Sequence, residues 1–156
     1  MKAHNTVTIN GSGSGAPRAA APYAEFRLGL VAENRNLSLI QQTVKAALHA
    51  WDLPDLIDDA QVIINELATN GVTAAPGEWM EIRAELQPDG LMLACWDCTP
   101  EITLSADLAE PDAEGGRGLF VVACCATKYG LTPSTDRQGK TIWALLNTPA
   151  AAGTVA

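Results

Sequence analysis

Three short segments hold residues whose types and spacing suit chemistry. In INELATNGVTAA, Glu66 and Asn70 stand four apart, so on a helix they share one face. The glutamate offers a carboxylate that can orient or deprotonate an attacking hydroxyl. The asparagine offers a carbonyl oxygen, a hard donor suited to Mg2+. Their neighbours are mostly apolar, where polar side chains are costly without partners. Taken alone, the pair reads first as a solvated stripe on an otherwise buried helix. In CWDCTP, Asp97 ends an apolar run and can accept a hydrogen bond from an exocyclic amine such as adenine's. The plain alternative is a turn aspartate. In EGGRGLFVV, Gly115, Gly116 and Gly118 let backbone amides approach a phosphate at the start of a helix. Arg117 adds a fork of donors in the same loop. The segment is neither a Walker A loop, since no Gly-Lys-Ser/Thr ends it, nor a dinucleotide fingerprint, since no apolar strand leads directly into it.

Cys95 and Cys98 form a C-x-x-C, the spacing of zinc and redox sites. LMLACWD, however, reads as a strand, where residues three apart point to opposite faces. No second pair follows, and the only histidines are His4 and His49. Buried reduced thiols are the expected state.

The elements that must position these residues follow from periodicity. Phe26, Leu28 and Leu30 alternate as a first strand. Leu37, Ile40, Val44, Leu48 and Trp51 recur at helical spacing, giving an amphipathic helix over 36–51. Pro54 suits the first turn of a second helix, which runs to about Ala75 and stops at Pro76-Gly77. Met80, Ile82, Ala84 and Leu86 alternate, turn through Gln87-Pro88-Asp89-Gly90, and return through Leu91, Leu93 and Cys95. Residues 99–115 read as a loop, Gly118 to Thr127 as a short helix, and Tyr129–Pro133 and Thr141–Leu146 as closing strands. The fold class expected is α+β. It is a two-layer α/β sandwich with a mixed, mostly antiparallel sheet and helices on one face. Residues 1–22 are rich in Gly, Ser, Ala and Pro and read as a flexible tail, 23–148 as the domain, and 149–156 as a second tail. Trp51, Trp79, Trp96 and Trp143 read as packing residues, with Trp96 close enough to Asp97 to report binding by fluorescence. Arg137 and Lys140 read as part of a solvated turn.

Order and spacing now join the parts. Glu and Asn on one helix, an Asp ending a strand, a loop, Gly-Arg-Gly-Leu and GKTIWALL form a five-part series. The series resembles the GHKL superfamily of gyrases, heat-shock chaperones, histidine kinases and mismatch-repair proteins, over about residues 25 to 147. More closely it is similar to the stand-alone bacterial anti-sigma-factor serine/threonine kinases. ELATNGVTAA resembles their E-L-x-x-N-A-x-x-H-A box, and VVACCATKYG and GKTIWALL resemble their closing segments. The resemblance implies the Bergerat ATP-binding fold, with ATP and Mg2+ as cofactors. It implies Glu66 as catalytic base, Asn70 as the Mg2+ holder and Asp97 at the adenine amino group. Residues 99–115 would form a lid, and Gly116, Arg117, Gly118 and Leu119 would line the phosphates. Thr141 would lie near the adenine, beside the aspartate strand. Three positions depart from the family pattern: Gly71 stands for alanine, Ala74 for histidine, and Thr99 for the glycine two places after the aspartate.

The totals bound the function. The 156 residues fit one domain, and a 47% hydrophobic share supplies a core. A net charge of -8 argues against direct nucleic-acid or anionic-membrane binding. No run approaches the roughly 20 apolar residues of a membrane span, and no signal peptide is read, so the cytoplasm is the expected location. The resemblance implies a regulator that phosphorylates Ser or Thr of a protein antagonist and sequesters a sigma factor, with a homodimer as a further expectation. The alternative is an ATP-binding interaction module without catalysis. A histidine-kinase catalytic piece ranks lower, because His49 ends an apolar helix and no dimerisation hairpin precedes it. Gyrase and chaperone readings lack room for their transducer domains.

Overall fold

The computed structural model describes residues 6–10, 24–100 and 117–148. Strand alternation writes the sheet. Phe26, Leu28 and Leu30 are fully buried on β2 (Glu25–Val31). Met80 and Ile82 on β3 (Trp79–Gln87) and Leu91 and Leu93 on β4 (Gly90–Asp97) continue the same apolar face. Two further strands, β5 (Lys128–Pro133) and β6 (Lys140–Leu146), form a closing hairpin. The sheet is six-stranded in the order β1-β2-β3-β4-β6-β5, so β6 and not β5 adjoins the aspartate strand. Every pairing among the described residues is antiparallel. The expected two-layer α+β sandwich is therefore the observed one, without the parallel component that a mixed sheet would have carried.

One correction concerns the N-terminus. Within the segment expected to be a tail, Thr6–Asn10 form β1, paired antiparallel with β2, with Thr8 opposite Arg27. Thr6, Val7, Thr8 and Ile9 are β-branched and suit an edge strand. The Gly/Ser-rich stretch that follows outweighed them in composition. The rest of 1–22, and 149–156, lie outside the described residues.

Helices α1 (Leu37–Ala50) and α2 (Ile57–Ala74) follow the 3.6-residue pattern, each entered by a short 3-10 turn. They lay Ile40, Val44 and Leu48 and Ile63, Ile64 and Leu67, all fully buried, on one face of the sheet. Removing each such side chain from water contributes about 1.5–3 kcal/mol. That burial, more than helix propensity, fixes where the helices sit. A third helix, α3 (Arg117–Cys125), packs beside α2. Trp51, just past α1, packs on Phe26 with ring centroids 6.2 Å apart.

The opposite face of the sheet carries the alternate residues, among them Arg83, Trp96, Thr141 and Trp143. Two troughs of about 550 and 420 Å³ run over it. Arg137 lies over the Trp96 ring at 3.6 Å from its centroid, pairs with Glu81, and so is anchored to the sheet. Trp96 Nε1 donates to Ser134 Oγ at 2.9 Å. The tryptophan expected beside the base thus points away from Asp97, because successive strand residues face opposite ways.

Gly139 closes the turn into β6 with φ 140. A Cβ there would strike the Asp97 carbonyl oxygen and lie 2.7 Å from Trp96 Nε1. Gly139→Ala is expected to destabilise the chain by on the order of 1–3 kcal/mol through the backbone strain alone. A urea midpoint that does not move would refute this.

Candidate functional site

Asp97 ends β4 on the helix-covered face, in line with Leu91, Leu93 and Cys95. Its register partners are Met80 on β3 and Lys140 on β6. It is 1% exposed and Lys140 is 4% exposed. Lys140 Nζ stands 2.9 Å from Asp97 Oδ1. This corrects the reading of Lys140 as a solvated turn residue: it is the first residue of β6 and belongs to the parity of Ile142, Ala144 and Leu146, which are core. Thr141 stands beside the aspartate strand, as the resemblance implies. That residue pairs in register with Trp96 and lines the troughs of the uncovered face, so it does not share a face with Asp97.

Helix α2 lies directly over this part of the sheet. A Cβ on Gly71 would come within 3.1 Å of Cys95 Sγ and 3.4 Å of Met80 Sδ. The glycine that departs from the family box therefore lets α2 sit close to the two neighbours of Asp97. Asn70 precedes it, and Glu66 lies one turn earlier; both are half-buried. They share a stripe with Asp59, seven and eleven residues before them. Asp59 faces α3, since after burial its charge is the next cause that raises the thiol of Cys125. Glu66 lines a groove along α2 with Asp58, Gln61, Val62, Asn65 and Gln41 of α1. Asp59 near the start of α2 acts on Cys125 at the end of α3, and the two helices pack side by side.

Arg117, Gly118 and Leu119 form the first turn of α3, the end of a helix at which the backbone N–H groups and the positive end of the dipole lie. Gly116 and the expected lid, from residue 101 on, lie outside the described residues. Helix α2, which carries Glu66 and Asn70, thus packs both on β4, which ends at Asp97, and on α3, which begins at Arg117.

The donor set fits an adenine nucleotide. Asp97 Oδ2 is buried and has no hydrogen-bond partner among the described residues. A buried orphan acceptor is costly unless a donor arrives, and an exocyclic amine supplies one. Among the described residues no group of three or more His, Cys, Asp or Glu could hold a metal alone. Asn70 would share Mg2+ with phosphate oxygens, as this ion prefers. Cys95 belongs to the packing: burial first, then the Asp97 charge, pushes its thiol up to about 12, against the smaller opposite effect of Lys140. A thiol so placed is held in its protonated form.

Sequence reasoning missed Lys140 and Thr99 as members of the site. The signal was present in GKTIWALL: Lys140, Ile142, Ala144 and Leu146 share one parity, and the three apolar members mark it as the core side.

Residues 30–145 match the family model described as the histidine kinase-like ATPase domain. No curated protein matches the chain.

Proposed function

We propose, given that the chain belongs to the histidine kinase-like ATPase domain family, that it is a regulatory protein serine/threonine kinase of the anti-sigma-factor type. In this reading it binds ATP with Mg2+, phosphorylates a Ser or Thr of a protein antagonist, and sequesters a sigma factor. The observation that supports it is the orphaned, buried carboxylate oxygen of Asp97, at the end of a strand that α2 packs over through Gly71. Among the described residues no helix is long and apolar enough to cross a membrane.

Asp97 receives the base through Oδ2. Asn70 supplies a neutral oxygen for the metal. The N–H groups opening α3, with Arg117, hold the phosphates. Bound ATP and its Mg2+ supply the transferable phosphoryl group and the charge that offsets its oxygens. Glu66 orients the incoming hydroxyl and takes its proton.

The test is calorimetric ATP binding with and without Mg2+, followed by radiolabelled transfer to proteins that co-purify with the chain. Binding that tightens with Mg2+, with transfer to a bound partner, is expected. Binding without transfer to any partner it holds would leave an ATP-binding interaction module in place of a kinase.

A further inference from the structure

Asp97 is engaged on one oxygen only. Oδ1 accepts from the Thr99 backbone N–H at 2.9 Å, from the Thr99 hydroxyl, and from the Lys140 ammonium at 2.9 Å. Oδ2 accepts from no described residue. The ammonium is equally committed, to Oδ1, to the Thr99 carbonyl at 3.4 Å and to the Thr99 hydroxyl. An ammonium carries three donors, and all three are placed. The hydroxyl accepts from Lys140 and gives its single proton to Asp97. The network is closed at every point except Oδ2.

We propose that Thr99 and Lys140 are positioning residues that fix the Asp97 carboxylate with Oδ2 as its one available acceptor, and that they thereby set selectivity for a 6-amino over a 6-oxo purine. The proposal rests on the reading of Asp97 as the base-receiving residue. A lone carboxylate on a strand end can turn and offer either oxygen. Here Oδ1 is saturated by groups from two chain segments, so rotation would break hydrogen bonds to a charged group. A 6-amino group brings an N–H to Oδ2. A 6-oxo group brings a second acceptor against it, and Lys140 has no proton left to bridge the two. The ammonium also supplies the countercharge without which a buried carboxylate is strongly disfavoured. Thr99, a departure from the family pattern, and Lys140, misread from sequence as solvated, form one device.

Calorimetric binding of ATP and of inosine triphosphate to the full chain tests this, using wild type, Lys140→Met, Lys140→Arg and Thr99→Gly. Wild type is expected to prefer ATP. Lys140→Met is expected to weaken ATP by about tenfold to a hundredfold, the range for losing a hydrogen bond to a charged group. It should weaken inosine triphosphate less, so the preference shrinks. Lys140→Arg should restore part of the preference, and Thr99→Gly should shrink it by a smaller factor. A lysine with only a structural role would weaken both nucleotides alike. A folded Lys140→Met with an unchanged ratio overturns the proposal. Should that variant fail to fold, an unchanged ratio in Thr99→Gly overturns it instead. Wild type that binds both nucleotides equally overturns the selectivity device alone. Wild type that binds neither overturns the ATP reading as well.

Discussion

Asp97→Asn is expected to lower folding stability by about 3–5 kcal/mol, the range for removing one partner of a buried ion pair, and to abolish detectable ATP binding. Both effects have the same origin. The side chains of Lys140 and Asp97 are 5% and 1% exposed, at 2.9 Å separation. The substitution keeps the shape and removes the charge, which leaves the ammonium buried with only Thr99 for company. Against a typical total of about 5–15 kcal/mol, that loss is a large share of the fold's stability. Urea unfolding should show a lower midpoint with an unchanged slope, since the surface exposed on unfolding is the same. Asp97→Asn combined with Lys140→Met should recover part of the midpoint, because no uncompensated charge then remains. It should not recover ATP binding. A single Asp97→Asn variant that unfolds at the wild-type midpoint would show that the pair is not a buried one.

Glu66→Gln should reduce ATP turnover by about 10²–10⁴-fold, the usual contribution of a positioned general base, while ATP affinity stays near wild type. Glutamine has nearly the same volume and helix propensity. Glu66 is half-buried on the flank of α2, so the fold should hold. The comparison needs no identified partner: release of phosphate by the chain alone gives the rate, and calorimetry gives the affinity. Equal losses in both would place Glu66 among the binding residues. No loss in either would remove it from the site.

Much of the architecture could be read before the structure. Helices α1 and α2 follow from apolar residues at three- and four-residue spacing, and β3 and β4 from alternation around Pro88-Asp89. These are local signals that burial reinforces. Strand β1 was hidden because a five-residue edge strand leaves little pattern beside a long Gly/Ser-rich stretch. The site was legible as a set of residue types in order. What was not read was which of Lys140 and Thr141 faces Asp97. The alternation of Ile142, Ala144 and Leu146 held the answer, but with the strand taken to begin at Thr141 the lysine fell in the turn and its parity went unused. The role of Thr99 needed three dimensions, since its partner Lys140 lies 41 positions away.

The turn that delivers Gly139 to the end of β4 constrains the chain's ancestry as well as its chemistry. Residues Thr135, Asp136 and Gln138 are exposed, and their identities are open to drift. Their number is not. Gain or loss of one residue there must be taken up within the turn without moving Gly139 off Asp97, because a shift in the phase of β6 would send Thr141, Trp143 and Leu145 under the helices and Lys140 to the uncovered side. Descendants of this chain should therefore vary freely in the spelling of that turn and hardly at all in its length.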